Sequence, residues 1–108
     1  MADANVLEVY RITRGMPSEE RYGLQTQIRR AAVSTVANIV EGSARRTVRE
    51  YANFINIATG SSNEVEYLVG LAGRLGFIPK GDAEALVADW RGLSKSLQVL
   101  LRSLEQLT

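Results

Sequence analysis

The residues of this sequence best suited to binding chemistry are arginines, and they gather in one part of the chain. Between Arg21 and Arg49 there are six arginines and one acidic residue, Glu41. Three of the six, Arg45, Arg46 and Arg49, fall around the start of a predicted helix, within about one helical turn. Guanidinium groups hold phosphate through paired hydrogen bonds, and the positive end of a helix favours anions. The cluster therefore predicts a nucleic-acid-binding patch that contacts phosphates.

The same arginines have a second interpretation, as an ordinary solvated turn. Glu41 and Glu50 are close enough in sequence to neutralise two of them. The whole chain has 13 basic and 12 acidic residues, so no overall field favours a nucleic acid or a membrane. For a single chain the solvated turn is the stronger interpretation. A ring of copies would repeat the patch around an axis, and phosphate binding would then be as well supported as the solvated turn. Both interpretations therefore stay open.

Several polar residues near the apolar stripes predict structural roles. We expect Gln27 and Asn38 to form hydrogen bonds across helices or subunits, which fixes helix register at some cost in stability. Arg30 lies well before the arginine cluster, and a chain that folds back at 44–45 brings it beside Glu64. This spacing predicts an interhelical ion pair between Arg30 and Glu64 rather than a ligand site.

Enzymatic chemistry has little support in this sequence. The chain has no His and no Cys, which removes thiolate and imidazole metal ligands, disulfides and Ser-His-Asp triads. Glu64 and Glu66 are two residues apart, so on a helix they point to different faces and do not share a proton. The tyrosines and Trp90 could stack on bases, but we expect most of them in the core or in an interface. We therefore expect no catalytic residue, no metal site and no cofactor.

Prolines and glycines divide the chain into four segments that are free of proline. Pro17 and Pro79 each have glycines nearby, and Gly42 marks a third break. The segments are roughly 4–14, 20–41, 47–75 and 82–107. Proline-free segments between such breaks are typical of helices. The length of 108 residues predicts one domain, residues 1–108.

Helical signals within these segments differ in strength. The last segment has apolar residues that alternate in steps of four and three: Leu86, Trp90, Leu93, Leu97, Leu100, Leu104 and Leu107. This stripe predicts a helix, with Asp82 capping its start. The third segment opens with a capping box, in which Thr47 and Glu50 bind each other's backbone amides, and it should end before Gly76. The second segment has β-branched residues typical of strands, but its length favours a helix.

Four helices joined by short connections predict an all-α fold, an antiparallel up-and-down four-helix bundle. Folding at 44–45 places Asn38 beside Tyr51. Folding at 78–79 brings two glycines opposite two alanines, Gly70 and Gly73 opposite Ala88 and Ala85. The small side chains of residues 58–62 predict a further close contact between helices.

Three blocks of this sequence resemble the signature of a known family of helical bundles. They are Tyr22-Gly23-Leu24-Gln25-Thr26-Gln27-Ile28-Arg29-Arg30-Ala31-Ala32-Val33-Ser34, then Ala37-Asn38-Ile39-Val40-Glu41-Gly42, then Arg45-Arg46. Glu50-Tyr51, Phe54, Ile57-Ala58, Gly60-Ser61, Glu64 and Leu75-Gly76-Phe77-Ile78 continue the likeness. The family is that of the proteins first met as products of intervening sequences in 23S ribosomal RNA genes. The resemblance implies a homopentameric four-helix bundle without known enzymatic activity.

A group related to that family, the accessory proteins of diversity-generating retroelements, forms pentameric barrels that bind nucleic acid and a reverse transcriptase. This chain departs from the family pattern in two places. It has Val36 where the family usually has proline, so we expect no kink there. Its segment before Val6 is short, so we expect a trimmed first helix.

These observations predict a non-catalytic homo-oligomer, a pentamer by resemblance, that binds structured RNA or DNA through Arg45, Arg46 and Arg49. The alternative is a scaffold that binds a protein partner and uses its arginines only in salt bridges between subunits. No apolar stretch is long enough for a membrane span, and no secretory signal is visible, so we expect a cytoplasmic protein without a membrane partner.

Overall fold

Four α-helices make up most of the computed structural model, which describes residues 2–108; Met1 lies outside the described residues. The helices are α1 (Ala2–Thr13), α2 (Leu24–Ser43), α3 (Val48–Arg74) and α4 (Lys80–Gln106), and a short 3₁₀ helix spans Ser18–Glu20. No strand occurs in this range. Each helix packs against two others, α1 on α2, α2 on α3, α3 on α4 and α4 on α1. They form a four-helix bundle that measures 45 × 22 × 18 Å.

The second segment is a helix, as its length predicts, despite its β-branched residues. Helix α2 runs without interruption through Val36, so the helix has no break at this position. Buried Thr35 fits the helix because its hydroxyl donates to the carbonyl of Ala31 at 2.9 Å. Two boundaries differ from the prediction. The helix begins at Leu24 because residues 21–23 form a turn, and Gly42 lies inside its last turn rather than at a break.

The ends of α3 are determined by local sequence. Thr47 is the N-cap, and its hydroxyl oxygen accepts from the backbone N–H of Glu50 at 3.1 Å. The other half of the predicted capping box is wrong, because the Glu50 carboxylate accepts from the Thr47 hydroxyl at 2.9 Å. At the far end Gly76 has φ of 82°, and Phe77 N–H bonds to the carbonyl of Ala72. This left-handed residue ends the helix, as predicted.

Helix α4 carries the apolar stripe that its sequence predicts. Five residues of the stripe are buried, namely Leu86, Trp90, Leu93, Leu97 and Leu104. Leu100 is half-buried, and Leu107 is exposed because the helix ends at Gln106. The predicted cap is wrong. Pro79 is the N-cap, and Asp82 lies in the first turn, where a carboxylate faces the positive end of the helix.

The predicted glycine contact between α3 and α4 is present in a different register. A Cβ at Gly73 would lie 2.7 Å from the Cβ of Ala83, so Gly73 faces Ala83 and not Ala85. A shift of two residues turns a helix by about 200°, which leaves Ala85 exposed. The small-sided centre of α3 is only partly packed, since Ser62 is buried but a Cβ at Gly60 would meet open space.

Candidate nucleic-acid interface

The turn between α2 and α3 is held in place by a close contact between the two helices. A Cβ at Gly42 would lie 2.8 Å from the Cβ of Phe54 and 3.1 Å from Cδ1 of Tyr51. Only glycine allows this approach, because any side chain there would meet the first turns of α3. The contact brings the end of α2 and the start of α3 together, and it positions the residues between them at one end of the bundle.

Arg45 is the most restrained of the three predicted phosphate-binding arginines. Its Nη2 atom lies 3.2 Å from Oε1 of Glu41, one turn earlier on α2. Its guanidinium also lies over the ring of Phe54, 5.7 Å from the ring centroid. Glu41 therefore neutralises one arginine, as the solvated-turn interpretation expects.

Arg46 and Arg49 are exposed and differ from Arg45 in their surroundings. Neither forms an ion pair with a carboxylate of residues 2–108. Glu50, expected to neutralise a second arginine, binds the hydroxyl of Thr47 instead. The turn thus presents two uncompensated guanidinium groups beside the N-terminus of α3, where the helix dipole adds positive potential.

Arg30 lies on the exposed face of α2 and contacts α3. Its Nη2 donates to Oε2 of Glu64 at 3.0 Å, which is the interhelical ion pair that the folding register predicts. Both side chains are exposed, so this pair contributes little to the free energy of unfolding.

Arg29 has a role that its sequence position did not reveal. Its Nε donates to Oγ1 of Thr13 at 3.0 Å, and its Nη2 donates to the carbonyl of Tyr10 at 3.3 Å. The guanidinium also lies 4.5 Å from the centroid of the Tyr10 ring. Gln25 adds a hydrogen bond to the Thr13 carbonyl at 2.8 Å. Together they bind the C-terminal end of α1, where a cation is favoured, although no local pattern links residues so far apart in sequence.

The two polar residues expected to link helices do not do so within the chain. Gln27 is exposed, and its side chain has no hydrogen-bond partner among residues 2–108. The amide of Asn38 donates to the backbone carbonyl of Ser34 at 2.8 Å, within its own helix. Tyr51 packs at Gly42, one helical turn further along α2, and its predicted place beside Asn38 stays a prediction. Besides the Arg30–Glu64 ion pair, a second polar contact between α2 and α3 is the pair of hydroxyls of Ser34 and Ser61, 3.0 Å apart.

A polar network between α3 and α4 was not predicted from the sequence. The Ser94 hydroxyl donates to Oε2 of Glu66 at 2.6 Å, and Nε of Arg91 donates to Oε1 of the same carboxylate at 3.3 Å. The Ser62 hydroxyl lies 2.6 Å from that of Ser94, which leaves Ser62 as the donor of this bond. Glu66 is thus engaged in helix packing, and the serines look in the sequence like any small helical residues.

The aromatic residues divide between the core and the surface. Trp90 is buried, and its indole N–H has no partner among residues 2–108. Tyr22 is 89% exposed and Tyr67 is exposed as well, so neither lies in the core of this chain. Their predicted place in an interface between subunits stays a prediction.

The fold and the turn define a class of protein, an all-α four-helix bundle with an exposed basic connection. None of the helices described here is long and apolar enough to cross a membrane. The chain belongs to the family described as 23S rRNA-intervening sequence protein, whose family model matches residues 1–99. The resemblance noted from its sequence blocks is therefore confirmed.

A solved structure shares this fold over nearly its whole length. It is that of a protein with unknown function from the S23 ribosomal protein family of Bacteroides thetaiotaomicron, determined at 1.70 Å. The two chains are 24% identical and superpose with a TM-score of 0.85, covering 93% of this chain and 94% of the other. Among curated protein sequences, none is significantly similar to this chain.

Proposed function

We propose that this chain is a non-catalytic homo-oligomer that binds structured RNA or DNA through Arg45, Arg46 and Arg49. The observation that carries the proposal is the state of Arg46 and Arg49, which are exposed, lack carboxylate partners among residues 2–108, and lie beside a helix N-terminus. Such a group of guanidiniums and first-turn amides is suited to phosphate oxygens. Arg45 contributes less, since phosphate must displace Glu41 from it.

An exposed apolar surface supports the oligomeric part of the proposal. It lies on α1 and α2 and consists of Leu7, Val33, Ala37 and Val40, with Leu7 70% and Val40 62% exposed. Contiguous apolar patches of this kind mark interfaces. The pentamer implied by the family resemblance would bury this surface and repeat the arginine turn around an axis.

An antiparallel up-and-down arrangement is part of the same proposal, as is the cytoplasmic location predicted from the sequence. The antiparallel arrangement is supported by the order of the contacts along each pair of neighbouring helices. Arg30 pairs with Glu64, whereas Gly42, further along α2, meets Phe54 near the start of α3. Between α3 and α4, Ser62 contacts Ser94, and Gly73, further along α3, contacts Ala83, which comes earlier in α4. In both pairs the contacts run in opposite directions along the two helices.

Fluorescence anisotropy with a labelled structured RNA and a labelled duplex DNA tests the proposal. We expect saturable binding that weakens steeply between about 50 and about 300 mM salt, because phosphate binding releases counterions. The absence of binding at the lowest salt would overturn it.

Alanine variants test whether binding resides at the turn. We expect Arg46→Ala combined with Arg49→Ala to weaken binding more than Arg45→Ala does, and the triple variant to abolish it. A matched control is Arg14→Ala combined with Arg21→Ala, two exposed arginines before α2 that lack carboxylate partners among residues 2–108. Equal losses in the control and the turn variant would mean that binding is not at the turn.

The second candidate is a protein-interaction scaffold whose arginines form salt bridges between subunits. The Glu41–Arg45 pair counts against phosphate binding at Arg45, because this arginine of the turn already has a carboxylate partner within the chain. Light scattering on the triple variant separates the two candidates. An unchanged oligomer mass with lost nucleic-acid binding supports the first, and a reduced mass supports the scaffold.

A further inference from the structure

A groove runs along the surface between α3 and α4, well away from the arginine turn. One part of it is a cavity of about 510 Å³, whose small and apolar lining residues, here called the floor, are Gly70, Gly73, Ala83 and Val87. A second cavity of about 350 Å³ continues it past Tyr67 towards Asn63 and shares Gly70 and Val87 with the first. We call the two together the α3–α4 groove.

The length of the groove is about that of a short helix. From Asn63 to Arg74 the groove follows twelve residues of α3, a distance of about 16 Å at the rise of an α-helix. This length accommodates about three helical turns. Gly73 and Ala83 pack against each other, and Nη1 of Arg74 lies 3.2 Å from where a Cβ on Gly70 would be. A third helix in the groove would therefore pack on Val87 and on the Arg74 side chain, and apolar grooves of this length are filled by the apolar face of an amphipathic helix.

The rim of the groove is cationic, unlike its floor. Arg74, Lys80 and Arg91 line the two cavities. Arg74 and Lys80 have no ion pair with a carboxylate of residues 2–108, and Arg91 shares Glu66 with Ser94. Two acidic residues line the groove as well, Glu84 in the first cavity and Glu66 in the second, and Glu66 is already bound by Arg91 and Ser94. An occupant complementary to this groove therefore has an apolar stripe flanked by carboxylates.

We propose that the α3–α4 groove binds an acidic amphipathic helix of a partner protein. The apolar floor disfavours a nucleic acid, whose phosphates would gain nothing from Val87 and Ala83. Exposed Tyr67 lies at one end, and Tyr and Arg are the residues that dominate binding energy in protein interfaces. The groove is separate from the arginine turn and from the apolar surface on α1 and α2, so this inference stands apart from the proposed function.

A designed peptide is the first probe. It is a fluorescein-labelled helix of roughly 14 residues, long enough to fill the groove, with leucines on one face and glutamates on both flanks. The control peptide has the same leucines, with lysines in place of the glutamates. We expect saturable binding of the acidic peptide and at least about tenfold weaker binding of the basic one. No binding of the acidic peptide, or equal binding of both, overturns the proposal.

Matched variants locate the binding surface. Lys80→Glu reverses a charge on the rim, and Lys95→Glu makes the same change on α4 outside the groove. Ala88→Trp fills the cavity, and Ala85→Trp places the same side chain at an exposed position that does not line it. We expect each groove variant to weaken binding about tenfold or more and each control to leave it within about twofold.

Two further outcomes are decisive against an acidic partner. If Ala88→Trp lowers the oligomer mass by light scattering and the acidic peptide does not bind, the groove is an interface between copies of this chain. If both tryptophan variants weaken the peptide equally, the peptide binds elsewhere. Circular dichroism melts of all four variants ensure that a loss of binding is read only from folded protein.

Discussion

Helix α3 makes two interfaces, one with α2 and one with α4, and both are built from the same three kinds of contact. Each has a pair of serine hydroxyls, an Arg–Glu ion pair and a glycine at a close approach. With α2 the contacts are Ser34 to Ser61, Arg30 to Glu64 and Gly42 to Phe54. With α4 they are Ser62 to Ser94, Arg91 to Glu66 and Gly73 to Ala83.

The two interfaces differ in how deeply their polar groups are buried and in whether the serine pair is hydrogen-bonded to the glutamate of the ion pair. Ser62 and Ser94 are buried, and Ser94 also donates to Glu66, whose side chain is only 18% exposed. On the other side Glu64 is 38% exposed and has no bond to the serine pair. A buried polar group costs free energy when it loses its partner, whereas an exposed one turns to water. The same residue types therefore constrain α4 more strongly than α2.

The largest expected effect comes from the apolar part of the bundle. We expect Leu97→Ala, which truncates a buried residue of α4, to lower the free energy of unfolding by about 2–5 kcal/mol. Val99→Ala on the exposed face of the same helix should change it by less than about 0.5 kcal/mol. Urea unfolding measures both. Similar values for the two would show that the α4 stripe does not face the core.

The serine pairs provide the direct comparison between the interfaces. Ser94→Ala removes the closest partner of the buried Ser62 hydroxyl and the closer of the two donors to the Glu66 carboxylate. The hydroxyl keeps the Trp90 carbonyl at 3.4 Å and the carboxylate keeps Nε of Arg91 at 3.3 Å, so we expect a loss of about 1–3 kcal/mol. Ser34→Ala removes a half-buried bond and should cost less than about 1 kcal/mol. Urea unfolding of both variants checks the order. Equal losses would remove the distinction between a buried network and an exposed pair.

Alanine at the two close glycines should have similar effects. A Cβ at Gly73 would lie 2.7 Å from the Cβ of Ala83, and a Cβ at Gly42 would lie 2.8 Å from the Cβ of Phe54. Such overpacking lowers the free energy of unfolding by about 1–3 kcal/mol. The higher helix propensity of alanine offsets about 1 kcal/mol of this loss. Gly60→Ala, in open space on α3, should stabilise the protein by about 0.5–1 kcal/mol. Thermal melts measure the three. A stabilised Gly73→Ala variant would contradict the close contact.

The exposed ion pair should have the smallest effect. We expect Glu64→Gln to change the free energy of unfolding by less than about 1 kcal/mol, because both partners are solvated. Glu66→Gln should cost more, since it weakens bonds from both Ser94 and Arg91. Unfolding at low and high salt distinguishes them, as salt screens only the exposed pair strongly. The reverse order would be incompatible with the observed burial.

The helices themselves could be predicted because their signals are local. The stripe of α4, Gly76 after α3 and Thr47 before it all act within a few residues, and each has its predicted place. Asp82 was mistaken for a cap because an acidic residue favours both the cap and the first turn. The Arg30–Glu64 pair could be predicted because the position of the turn between α2 and α3 sets which residues of the two helices face each other.

The candidate site could be predicted only in its residue types. The sequence identifies the three arginines, but their pairing depends on side-chain directions. Glu50 turns to Thr47, Glu41 holds Arg45, and Arg49 is left exposed. Among side chains of equal charge, only position in space distinguishes a compensated arginine from a free one.

The sequence by itself determined the four helices, their approximate ends, the family and the concentration of arginines at one turn. The tertiary structure alone decided which arginines are free, that Arg29 binds the end of α1, that Glu66 joins the serines, and that a cationic groove lies between α3 and α4. Periodicity and caps depend on neighbours within one turn. Grooves and networks depend on helix register, where a shift of two residues turns a side chain to the opposite face.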